Sequence, residues 1–141
     1  MPIDSFNPDA VWKPFGAFSM AVVQGTGRVV HLKGQVSLNK EGDIVGEGDI
    51  EKQVAKALEN IQSVLASFGG RMEDIYSLIH HVTDIGEFMK TGHIRNQYFK
   101  PPYPVTTTVE VSSLYNPELM VEITGSAEIP LERFQKPGEV G

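Results

Sequence analysis

Two glutamates, Glu110 and Glu122, each stand between apolar neighbours in strand-like stretches: Val109 and Val111 flank the first, Val121 and Ile123 the second. A carboxylate in that setting faces water or a cleft, because burial in a dry core without a partner is too costly. In a cleft it can exchange protons with a bound water or ligand. Upstream of Glu110, three consecutive threonines, Thr106, Thr107 and Thr108, offer hydroxyls. They read either as plain β-branched strand formers or as pocket hydroxyls that orient a ligand. His31, Lys33 and Gln35 alternate along a second strand. Lys33, beside Gly34, is either a solvated charge that discourages edge pairing or an anion handle next to a backbone that glycine leaves open to close approach.

Other chemistries find no footing. His80 and His81 are adjacent in a strand, so they point to opposite faces and cannot chelate one ion. His31 and His93 lie on separate elements, with no carboxylate at ligand spacing, and ordinary core or surface histidines are expected rather than a metal centre. The chain has no G-x-S-x-G, no H-E-x-x-H and no dinucleotide fingerprint. Gln24-Gly-Thr-Gly27 is too short for a phosphate loop and opens no helix; it reads as a hairpin turn. Ser112-Ser113 ends a strand and reads as a turn.

The elements that must position these residues are legible. Ala17–Gln24 and Arg28–Val36 read as strands, with a short extended piece at Ile44-Val45. Ile50, Val54, Leu58, Ile61, Leu65 and Phe68 form a continuous apolar stripe at helical period. Asp49 supplies an N-cap and Gly69-Gly70 a stop. Ile75 to Val82 reads as a strand buried on both faces, and Glu87 to Phe99 as a second helix with Phe88, Ile94 and Tyr98 on its apolar side and Asp84 near its start. After Pro101-Pro102 come strands Val105–Val111 and Met120–Glu128; the polar tail from about Glu132 is expected to fray.

At 141 residues the chain is expected to form one domain. Two helices cover only one face of a five- or six-stranded mixed sheet, so the other face stays wet or meets another subunit. Net charge is −6 with no basic stripe, which argues against nucleic acid. No apolar run approaches membrane-spanning length. The absence of cysteine and the lack of a signal-like start at Met1-Pro-Ile-Asp-Ser fit a cytoplasmic protein.

The order and spacing of short motifs resemble those of the RidA/YjgF family of small enamine/imine deaminases. The matching residues are Asn7-Pro8, Pro14-Phe-Gly16, Lys33-Gly34-Gln35, Gln53, Asn60, Asp74-Ile75, Val82-x-Asp84-Ile85-x-x-Phe88, Tyr98-Phe99, Val109-Glu110-Val111 and Val121-Glu122-Ile123. The similarity runs from Asn7 to about Glu128. It implies an α+β chorismate mutase-like fold and a barrel-like homotrimer with three clefts between subunits. It also assigns roles. The family's carboxylate-gripping arginine corresponds to Thr106, its cleft tyrosine to Phe18 and the serine of its Ser-Gly-Gln to Lys33. The glutamate associated with placing the attacking water is retained as Glu122. Threonine cannot replace a bidentate arginine fork, so a standard 2-aminoacrylate deaminase is not expected.

The resemblance therefore implies a small, anionic metabolite in an intersubunit cleft, with hydrolysis of a non-standard imine or enamine and no metal or organic cofactor. Glu122 would hold the water; Gly34, Gln35, Phe18, Thr106 and Thr108 would surround the ligand, and Lys33 would restore the missing charge. The alternative is a trimer that binds a small ligand or docks a partner without turnover. A Lys33 ammonium in the cleft favours the enzyme and a solvated one the binding module. Chorismate mutation by fold analogy is weak, since fold does not carry function.

Overall fold

The computed structural model describes residues 3–138. A two-stranded antiparallel ribbon, β1 (Asp4–Phe6) and β2 (Ala21–Val23), precedes β3 (Arg28–Gln35). Helix α1 (Ile50–Ala66) and a 3-10 turn at Met72–Asp74 lead into β4 (Ile75–Val82). Two short helices, α2 (Ile85–Met89) and α3 (Gly92–Tyr98), precede β5 (Val105–Glu110) and β6 (Val121–Ile129). The main sheet runs β3-β6-β4-β5, antiparallel except for the parallel β4–β5 pair. The mixed sheet read from the sequence is thus four strands, with the other two set apart as the ribbon.

Helix α1 forms where its apolar stripe requires. Val54, Leu58, Ile61 and Leu65 are buried, and Asp49 accepts from the Lys52 amide at 3.1 Å. Past the helix end Gly69 takes φ 77°, a left-handed turn that favours glycine. The α1 stripe packs on β6 and β3, where Val121, Ile123 and Ala127 of β6 are fully buried. Between them Glu122, Thr124 and Ser126 point to the opposite, uncovered face. Buried Gln53 ties α1 to the loop before β6: its amide donates to the Glu118 carbonyl at 2.9 Å, and its Oε1 accepts from the Met120 amide at 2.8 Å.

Three expectations change. The Gly25-Thr-Gly27 turn joins no hairpin, since β2 pairs with β1 and β3 with β6. Glu128 of β6 holds that turn instead, accepting from the amides of Gly25 and Gly27 at 2.8 Å each; bonds to a charged acceptor stand in for the ladder. The second helix breaks at Lys90-Thr91, where the Thr91 hydroxyl donates to the Phe88 carbonyl at 2.6 Å. The tail is tied down as far as Gln135: Arg133 pairs with buried Asp74, Phe134 stacks on Phe68, and the Gln135 amide donates to the Phe68 carbonyl at 3.0 Å.

Candidate functional site

The expected site residues fall into two groups on opposite faces of the sheet. Register explains the division. Thr106 and Thr108 of β5 pair with Leu78 and His80 of β4, which lie on the helix-covered face; both Leu78 and His80 are buried. Glu122 pairs with His81 on the uncovered face, beside Ile79 and Val109, each 39% exposed.

On the covered side, Thr106 and Thr108 line a cavity of about 700 Å³ together with Phe18, Trp12, Arg95 and Asn96. That is a small-molecule size, within the range of roughly 300–1,000 Å³. The Thr108 hydroxyl lies 2.9 Å from Nδ1 of His80, whose ring is buried against Phe88 with centroids 4.9 Å apart. Burial first, then the charges of Arg95 and His81, pull the His80 pKa down to about 3. The imidazole is therefore neutral and positions Thr108 from behind the cavity wall. Its Nε2 has no hydrogen-bond partner.

On the uncovered side, β3 carries a bulge. Leu32 pairs with Gly125 and Gln35 with Ile123, so Lys33 and Gly34 face the single residue Thr124. A side chain at Gly34 would collide with the Glu122 carboxylate and lie 2.8 Å from the Thr124 hydroxyl. Glycine is what lets Glu122 lie across the β3 backbone. Gln35 turns back, its amide donating to the Lys33 carbonyl at 3.4 Å.

Lys33 is exposed on edge strand β3. Thr106 is on the other edge strand, three strand spacings or about 14 Å away. One subunit does not bring the Lys33 charge to Thr106, and an exposed Lys33 weighs, within the single subunit, towards the binding module. Two cations do share the Thr106 cavity, Lys90 at the end of α2 and Arg95 of α3, both absent from the expected set. Helical spacing along the chain did not point to Arg95: Phe88 is on α2 and Arg95 on α3, and the break between them brings the guanidinium to 4.7 Å from the Phe88 ring centre. Among the described residues, no three potential metal ligands cluster, and no helix is long and apolar enough to cross a membrane.

Known proteins share the sequence pattern and fold of this chain. The family described as Endoribonuclease L-PSP matches residues 9–129. A RutC family protein of Saccharolobus solfataricus is 32% identical over 117 residues, covering 82% of this chain and 90% of the relative. The crystal structure of YyfB from Yersinia pestis, a Rid family protein of unknown function, superposes with a TM-score of 0.84 at 30% identity, covering 92% of this chain and 100% of that one. A Mycobacterium tuberculosis member of the YjgF/YER057c/UK114 family gives a TM-score of 0.64 at 32% identity, over 79% of this chain and 86% of that one. A match of that length, together with the shared chorismate mutase-like architecture, means that this chain belongs to the RidA/YjgF family.

Proposed function

We propose that the protein is a homotrimer that binds a small metabolite in a cleft between subunits and hydrolyses a non-standard imine or enamine there. The observation that carries this reading is the Glu122 carboxylate, which lies half-buried over Gly34 without a hydrogen-bond or ion-pair partner among the described residues. A carboxylate so held is free to orient a water. The second support is the division of the site. One subunit's Phe18, Thr106 and Thr108 and another's Gly34 and Glu122 would make one cleft, and the uncovered sheet face offers Ile79 and Val109 for the contact.

In the reaction, water adds to the imine carbon while Glu122 accepts its proton. Glu122 returns that proton to the nitrogen of the carbinolamine, and as the C–N bond breaks the freed carboxylate takes the hydroxyl proton, so that a carbonyl compound and ammonia leave. No redox partner is required. Endoribonuclease chemistry, which the family description names, is less well supported, because a chain of net charge −6 repels a polyanion over most of its length.

The test is a panel of imines generated in solution from amino acids, with ammonia release followed over the uncatalysed rate. Wild type should accelerate at least one member, and Glu122→Gln should lose that acceleration. Acceleration that survives Glu122→Gln refutes the assigned role. If no imine is turned over but saturable binding is found, the binding module stands instead. Sedimentation showing a stable monomer at micromolar concentration would remove the intersubunit cleft.

A further inference from the structure

The cavity beside Thr106 has a charge pattern unlike the rest of the chain. The protein is acidic overall, with 18 Asp and Glu against 12 Lys and Arg. Yet no carboxylate lines this cavity, while Lys90, His93 and Arg95 do. Two of the three are already engaged on the surface: Lys90 lies 3.4 Å from Glu87, and His93 lies 3.3 Å from Glu51. Arg95 has no carboxylate partner among the described residues. Its Nε is buried without a hydrogen bond, and one face of the guanidinium is occupied by Phe88. An arginine desolvated on one side and unpaired on the other is poised for an anion.

The mouth of the same cavity is aromatic. Trp12 stacks on Phe15 with ring centres 5.8 Å apart, Phe18 meets Phe15 edge-on at 5.2 Å, and Trp12 lies 5.9 Å from Phe18. Trp12 is 61% and Phe15 76% exposed. Clustered aromatic rings left in water beside an unpaired cation fit a ligand that brings its own ring.

We infer that Arg95 is the anion anchor of this cleft and that its ligand is a small carboxylate carrying an aromatic or comparably flat apolar group. This rests on the ligand cleft proposed above and identifies what enters it. The carboxylate pairs with the Arg95 guanidinium, Thr106 and Thr108 donate to its oxygens, and the ring lies against Phe18 and Trp12. The charge lost at Thr106 is thus supplied within the same subunit, from helix α3, and does not require Lys33 of a neighbour.

Trp12 is the single tryptophan in the chain and lines the cavity, so its fluorescence reports on the site directly. Phenylacetate serves as the probe, phenylacetamide as its uncharged counterpart and acetate as the ring-free control. Phenylacetate should give a saturable change and bind at least tenfold more tightly than either control. Arg95→Gln should weaken phenylacetate at least tenfold without altering phenylacetamide, Arg95→Lys should fall between, and Lys33→Gln should match wild type. Circular dichroism checks that each variant is folded. The inference is overturned if phenylacetate does not bind, if the amide binds as well as the acid, if folded Arg95→Gln and Arg95→Lys both stay within twofold of wild type, or if Lys33→Gln carries the loss. Binding is read without turnover. Phenylacetate held through Arg95 with no imine hydrolysed removes only the hydrolytic reading; imine turnover with an unchanged KM in Arg95→Gln removes only this one.

Discussion

The Glu122 carboxylate rests against the backbone of Gly34, so close that even a methyl group at residue 34 would collide with it. Strand β6 presents the acid to the uncovered face, and the bulge in β3 brings the glycine beneath it. Gly34 is not in the left-handed region, so its backbone tolerates a side chain and the conflict is with two side chains, the Glu122 carboxylate foremost and the Thr124 hydroxyl at 2.8 Å. Gly34→Ala should leave the protein folded and cut turnover of the best imine substrate at least tenfold, close to the effect of Glu122→Gln. Kinetics on the two variants, with melting curves as control, check this; full turnover in Gly34→Ala would show that Glu122 needs no such seat.

On the proposed function, position 106 governs which substrate is refused. Thr106 shares its cavity with Arg95 but offers only a hydroxyl where the family's fork would stand. A coupled assay in which a dehydratase makes 2-aminoacrylate should show wild-type kcat/KM well below about 10⁴ M⁻¹s⁻¹, the lower end of ordinary enzymes. Thr106→Arg should raise that value in part, held back by Phe18 and by repulsion from Arg95. Wild-type activity in the ordinary range would refute the stated importance of the fork.

Asp74 and Arg133 pin the chain's C-terminal segment to the core. The Asp74 side chain is fully buried and takes two guanidinium bonds from Arg133, at 2.6 and 2.9 Å, and one from the Arg71 amide at 2.7 Å. Arg133 also donates to the Gly69 carbonyl at 2.8 Å, and its hydrogen bond to Asp74 raises its pKa. Arg133→Ala strands a buried carboxylate and should cost roughly 3 kcal/mol. The loss should appear as a lower urea midpoint at unchanged slope. Arg133→Lys should recover only part of it, for want of the fork.

His80 gives the fold an acid limit. Its pKa, about 3 in the fold against 6.5 ordinarily, means that between those values the unfolded chain binds a proton the folded chain refuses. Stability is therefore unaffected by this group above pH about 6.5 and declines as pH falls towards 3. By pH 5 the loss should reach about 2 kcal/mol, at roughly 1.4 kcal/mol per pH unit. Urea midpoints at pH 7.5, 6 and 5 should show the decline in wild type and not in His80→Asn; parallel profiles would overturn it.

Local pattern by itself determined much of the molecule. The α1 stripe, its Asp49 cap, the alternation along β6 and the exposed-or-cleft position of Glu122 all follow from periods of 3.6 and 2 and from the cost of burying a carboxylate. The motif order read along the chain carried the family. Tertiary structure decided what depends on pairing across long separations. It gave β2 to β1 rather than β3, because Glu128, more than 100 residues away in sequence, claims the Gly25 and Gly27 amides. It set Thr106 and Glu122 on opposite faces, since register and bulges determine which side of a sheet a residue meets. It brought Arg95 to Thr106 because α3 breaks from α2 and lays that side chain over Phe88. A helical wheel shows which side an arginine is on; only packing shows what it finds there.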